Sequence, residues 1–232
     1  MIFPLALTIA AGALMLALAA PPPQVSGDLQ SLNWRLFGDW RSPIRRFIEP
    51  LPSHAYAEGA PPGFTGGFTE QSCDACHFHA APNAGPGKLT IDGVPEPFVA
   101  GQVYRLTIGL TQPGMKLSGF QLAARFKDEG GQAGTFDRES EKDMRVGVET
   151  QSGVQYAGQR RDGATVITPN ESRWTVMWTA PLDDARGCPE PCRRAPSATR
   201  TVVFHVAANG ANGDERADGD YVYTLTRETR SQ

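Results

Sequence analysis

Along this chain of 232 residues the apolar positions follow three rhythms in turn. Ile2 to Ala20 is almost wholly apolar and nearly long enough to span a bilayer. Trp34, Leu36, Phe37, Trp40, Ile44, Phe47 and Ile48 then recur at roughly helical spacing. That pattern predicts a short amphipathic helix lying on a membrane surface or docked on the rest of the chain. From Lys88 onward the period becomes two. Tyr104, Leu106, Ile108 and Leu110 alternate with Arg105, Thr107 and Gly109. The same alternation runs through Phe120–Phe126, Met144–Val148, Trp174–Trp178, Val202–Val206 and Tyr221–Leu225. It predicts half-buried antiparallel strands. Pro113-Gly114, Gly130-Gly131, Asp162-Gly163, Asn209-Gly210, Asn212-Gly213 and Asp218-Gly219 are turn signals between them. About seven to nine such strands predict an all-β, immunoglobulin-like antiparallel β-sandwich. No helical pattern of useful length follows residue 60.

Composition agrees with that fold. Gly (25) and Pro (19) favour turns and strands over long helices, and 40% apolar residues suffice for one core. The net charge of −3 gives no reason to expect nucleic acid, and Arg160-Arg161 is an isolated basic pair. Neither a P-loop nor a Gly-x-Gly-x-x-Gly cradle is present. The chain divides into a signal peptide or membrane anchor (1–20), a linker (21–62), a Gly/Pro-rich segment (63–87) and the sandwich (88–232).

The specific chemistry lies in the third of these. Cys73-Asp74-Ala75-Cys76-His77 reads Cys-x-x-Cys-His, the attachment signature of a c-type haem. Cys73 and Cys76 would form thioethers to the two vinyl groups, and His77 would be the proximal iron ligand. Two other uses stand beside this one: a Cys73–Cys76 disulfide, and a partial zinc site with His77 and His79. Phe64, Phe68 and Phe78 are candidates to cover the porphyrin faces. For the sixth iron position the candidates are His205, then Met115, then His54. His205 should point away from the core if Val202, Phe204 and Val206 face it. Cys188 and Cys192 remain, a candidate disulfide in an oxidising compartment. Asp214, Glu215, Asp218 and Asp220 form an acidic turn that a calcium site would need, although solvated turn acids explain it as well.

A c-type haem is attached outside the bacterial cytoplasm, which points to export. Ala17-Leu18-Ala19 offers the small residues of a signal-peptidase site. No Lys or Arg precedes the apolar run, and Arg35, Arg41, Arg45 and Arg46 follow it. An uncleaved N-terminal anchor is therefore the alternative to a cleaved leader. In either case the expected location is periplasmic or cell-surface, with membrane association through the N-terminus.

Several stretches resemble one bacterial family, the Reeler-like or choice-of-anchor V domains. They are Gly63-Phe64-Thr65-Gly66-Gly67-Phe68 through His77, Gly119-Phe120-Gln121-Leu122, Trp174 to Pro181, and Val203 to Gly213. The resemblance covers about residues 60–228. It implies an extracytoplasmic β-sandwich, commonly with a Cys-x-x-Cys-His just ahead of the first strand, and it does not imply an enzyme. Two positions depart from the family pattern: His205 stands where an aromatic is commoner, and Gln159 stands near an expected histidine. Together these readings point to an exported monohaem cytochrome-like electron carrier that serves a redox partner protein. The competing reading is a binding or adhesion module with structural cysteines. A haem peroxidase ranks last, because no distal acid–base pair can be named.

Overall fold

A computed structural model describes Tyr56 and residues 58–182, 199–216 and 218–232. Within them lie nine strands: β1 (Lys88–Asp92), β2 (Val103–Thr111), β3 (Leu117–Phe126), β4 (Thr135–Arg138), β5 (Val146–Gln151), β6 (Val154–Gln159), β7 (Glu171–Thr179), β8 (Thr201–Ala211) and β9 (Tyr221–Arg230). One helical turn, α1 (Arg161–Ala164), joins β6 to β7. The strands form a four-stranded sheet of order β1-β2-β7-β4 and a five-stranded sheet of order β5-β6-β3-β8-β9. Every pairing within the two sheets is antiparallel.

The alternation seen in the sequence faces the two sheets towards each other. Leu106, Ile108 and Leu110 of β2 and Trp174, Val176 and Trp178 of β7 share one core with Phe120, Leu122 and Ala124 of β3 and Val202, Phe204 and Val206 of β8. Trp178 is fully buried at its centre, with the rings of Phe204, Phe98 and Tyr104 4.8, 5.7 and 5.8 Å away. Both core indoles have a partner for their N–H, as burial demands. Trp174 donates to the Gly163 carbonyl (2.8 Å) and Trp178 to that of Ala133 (3.0 Å).

Two of the turn signals have other uses. Asn209-Gly210 lies inside β8 and pairs through with Gly119 and Ser118 on β3. Gly210 is required there by close approach, since a Cβ would sit 2.2 Å from Gln112 Oε1, and Gln112 Nε2 donates to the Gly210 carbonyl (3.1 Å). Asp162-Gly163 falls in α1, where a Cβ on Gly163 would sit 2.1 Å from the Arg145 carbonyl. Met144 precedes β5 and is exposed rather than in the strand.

β3 and β8, in the middle of the five-stranded sheet, are buried on both faces. Their outer face carries Gly119, Gln121, Ala123 and Arg125 on β3 and Val203, His205 and Ala207 on β8. Residues 59–87 cross this face as a strap. Near β6, a Cβ on Gly59 would touch the Gln159 carbonyl, at 2.4 Å. Over β3, Gln121 donates to the Pro61 carbonyl (2.8 Å) and accepts from the Phe64 N–H (2.6 Å). At β9 the strap covers an otherwise open sheet edge. Asn83 N–H donates to the Val222 carbonyl (2.8 Å), and Asn83 Oδ1 accepts from Thr224 N–H (3.0 Å). Asn83 has φ +66°, a left-handed conformation that Asn tolerates. The strap then passes Tyr223, whose hydroxyl accepts from Gly87 N–H (3.0 Å), and enters β1.

Candidate functional site

Cys73–Ala75 forms a single 3-10 turn in the strap. The chain coils about one carbonyl: Cys76 N–H and His77 N–H both donate to Cys73 O, at 3.2 and 2.9 Å. Ser72 and Asp74 are hydrogen-bonded through their side chains at its start. Cys76 caps the end of this turn, one residue before His77. Both are free thiols, Cys73 half-buried and Cys76 exposed. Burial pushes the Cys73 thiol up to about 12, so it is protonated at neutral pH.

His77 follows directly and reaches across to the turn between β8 and β9. Its Nδ1 lies 2.7 Å from Asp220 Oδ2. Asp220 is only 2% exposed, whereas the His77 side chain is 34% exposed. A carboxylate oxygen accepts only, so in the neutral ring Nδ1 carries the proton and Nε2 presents its lone pair. The other Asp220 oxygen accepts from Asn212 N–H (3.1 Å). Two residues further on, His79 repeats the arrangement loosely. Its Nδ1 is 3.8 Å from Asp218, both side chains are largely exposed, and its ring meets Tyr221 edge-on at 5.0 Å.

The strap is held beside this turn by a second polar cluster. Glu70 accepts hydrogen bonds from Thr65 (2.5 Å), from Tyr156 (2.5 Å) and from Arg125, with which it also forms an ion pair. Glu70 and Arg125 are each 12% exposed. Burial, with Glu70 next in effect, pushes the Tyr156 hydroxyl up to about 12. Phe68 stacks under the Arg125 guanidinium at 5.2 Å.

The other candidates take up varied places. His205 does point away from the core, but under the strap: Phe68 packs edge-on at 5.2 Å, Thr226 Oγ1 lies 3.2 Å from Nδ1, and a Cβ on Gly67 would lie 2.2 Å from its ring. Burial lowers its pKa below the ordinary histidine value. The Met115 side chain is 3% exposed and belongs to the core between the sheets, so its thioether is engaged in packing. The Phe68 ring is taken up between His205 and Arg125, Phe64 meets the sheet through its backbone N–H on Gln121, and Phe78, beside His77, is 62% exposed. Gln159 sits at the strap's start and accepts from Phe120 N–H (2.8 Å). His54, Cys188, Cys192 and residues 1–55 lie outside the described residues.

Among the described residues no group of three or more His, Cys, Asp or Glu side chains is arranged to hold a metal ion. The acidic turn does not converge either: Asp220 turns inward to His77, and Asp214 accepts from Arg216 N–H (2.9 Å). Nor is any described helix long and apolar enough to cross a membrane. Sequence reasoning missed Asp220 as the partner of His77, and it missed the Glu70–Arg125–Tyr156 cluster. Neither has a local signal, because the partners are 143, 55 and 86 residues apart.

No family model matches the chain, and no curated protein does. Solved structures of similar fold include the reeler domain of human F-spondin, 21% identical with a TM-score of 0.38, covering 63% of this chain and 89% of that one. The Reelin-N domain of F-spondin is 20% identical with a TM-score of 0.41, covering 69% and 95%. A cohesin module from a Clostridium perfringens family 33 glycoside hydrolase is 11% identical with a TM-score of 0.38, covering 63% and 96%.

Proposed function

We propose that this chain is an exported, monohaem c-type electron carrier built on a Reeler-like, immunoglobulin-type sandwich. The observation that carries the reading is the state of His77. Its Nδ1 is held by a buried carboxylate and its Nε2 is left to accept a bond, which is how a metal-ligating histidine is oriented from behind. The two thiols the signature requires stand unpaired on the turn immediately before it. The donor set therefore fits haem c. Cys73 and Cys76 would hold the ring by thiol addition across its vinyl groups, and His77 would ligate the iron. Haem c bound there supplies a one-electron iron couple.

The protein's own contribution is to hold these groups still and to shape the surface a redox partner protein meets. The strap fixes the turn against the sheet through Glu70, Arg125 and Gly67. Asp220 fixes the ring plane of His77. Phe78 adds an exposed apolar contact next to the ligand. Electron transfer needs no substrate pocket. The location expected from the leader is periplasmic or cell-surface.

The test is the intact mass of mature protein from a host with haem-maturation machinery, together with its pyridine haemochrome spectrum. The expected result is one covalent haem, lost in the Cys73→Ser/Cys76→Ser variant. A colourless wild-type protein with Cys73 and Cys76 oxidised to each other overturns the carrier and leaves an extracytoplasmic binding module.

A further inference from the structure

We propose that Asp220 is a positioning residue that strengthens His77 as an iron ligand and holds the site at a low reduction potential. This rests on the haem reading above and names how the same site is tuned.

A carboxylate is rarely found at 2% exposure unless something needs it there. The core has no use for this one, since its oxygens serve only His77 Nδ1 and the Asn212 N–H. The turn between β8 and β9 is folded around it. Asn212 Oδ1 accepts from Asp214 N–H (2.9 Å), and Gly219, at φ +95°, makes room where a Cβ would lie 2.8 Å from Asn212 Nδ2.

Residues 77 and 79 face residues 220 and 218, so two histidines meet two aspartates at the same spacing. The pair that includes the motif histidine is close, at 2.7 Å, with its carboxylate buried. The pair that does not is 3.8 Å apart and open to water on both sides, where screening leaves it little influence.

Two physical effects of Asp220 act in one direction. Accepting a hydrogen bond from Nδ1–H raises the basicity of Nε2. A buried negative charge close to the ligand also favours the more positive oxidation state of the metal. Both favour the ferric form and so lower the midpoint potential of the site.

The test uses full-length protein with covalent haem. Asp220→Asn should keep the haem and raise the midpoint potential by a tenfold change in the one-electron equilibrium, about 59 mV, or more. Asp218→Asn, the exposed neighbour, should move it by less than a third of that. Retained haem with an unchanged midpoint in Asp220→Asn overturns the inference and leaves the electron carrier intact. Equal shifts in the two variants overturn it too, since net charge alone would then be the cause. Absence of covalent haem from the wild type overturns the underlying reading instead. Should Asp220→Asn fail to fold, Asp220→Ser removes the same charge in less volume. The wild type also answers directly by NMR: a slowly exchanging His77 Nδ1 proton supports the inference, and a freely exchanging one overturns it.

Discussion

The sandwich and the strap that crosses it are held together by opposite means. Between the sheets the contacts are mostly apolar and redundant: Trp178 alone packs against three other rings. Beneath the strap they are few, polar and individually critical. One carboxylate, Glu70, gathers three donors, and one glycine, Gly67, lies where no side chain fits. The difference shows how a small site can be placed on a stable fold. Apolar burial is non-directional and builds the platform, whereas hydrogen bonds and close approach have direction and set where the cysteines and His77 stand.

Breaking the platform should have the largest effect. Trp178→Ala removes a fully buried ring and leaves the Ala133 carbonyl unpaired. It should cost about 3–5 kcal/mol of global stability, read as a fall in the denaturant midpoint with both regions lost together. Removing the strap's anion comes next. Glu70→Gln leaves Arg125 beneath the strap without its counter-charge, for a loss of about 3 kcal/mol. Hydrogen exchange should then rise in residues 59–87 before it rises in β2 or β7; simultaneous loss in both would show that the two regions are one cooperative unit.

A subtler break is steric. In Gly67→Ala the new methyl meets the His205 ring at 2.2 Å, and about 1–3 kcal/mol of destabilisation is expected. The double variant Gly67→Ala/His205→Ala should recover part of that loss, since the second change removes the obstruction. Strict additivity in the thermal midpoints would mean that the strap does not rest on His205.

The smallest effect is a pH slope. Burial holds the His205 pKa below the ordinary histidine value of about 6.5. As pH falls through and below that value the unfolded chain binds a proton that the folded protein resists. Stability should therefore decline from pH 7 towards pH 5 and gain nothing from this group above pH 7. His205→Asn should flatten that part of the melting-temperature profile. An unchanged slope would place the acid sensitivity elsewhere.

The strand pattern was legible because alternation is local. Leu106, Ile108 and Leu110 announce a buried face within five residues, whatever they pack against. Where the sequence reading differed, a distant contact had overridden the local signal. Asn209-Gly210 looks like a turn, yet it continues β8 because Gln112 needs a glycine beneath it. Met115 does lie in the loop between β2 and β3, yet its side chain belongs to the core. The outward direction of His205 followed from period two, but its cover did not, since nothing near β8 says that Gly67 will lie over it.

For this protein, then, local order along the chain was enough to specify two classes of feature. One is the alternation that marks six of the nine strands among the described residues, β2, β3, β5, β7, β8 and β9. The other is the Cys73–Cys76–His77 spacing, which a single 3-10 turn satisfies. What the folded arrangement alone decided is which carboxylate backs His77 and what pins the strap. Those depend on bringing Asp220 to a residue 143 positions away and Glu70 to Arg125 and Tyr156. Hydrogen bonds act over about 3 Å in space, and chain separation carries no trace of them until the sheets have closed.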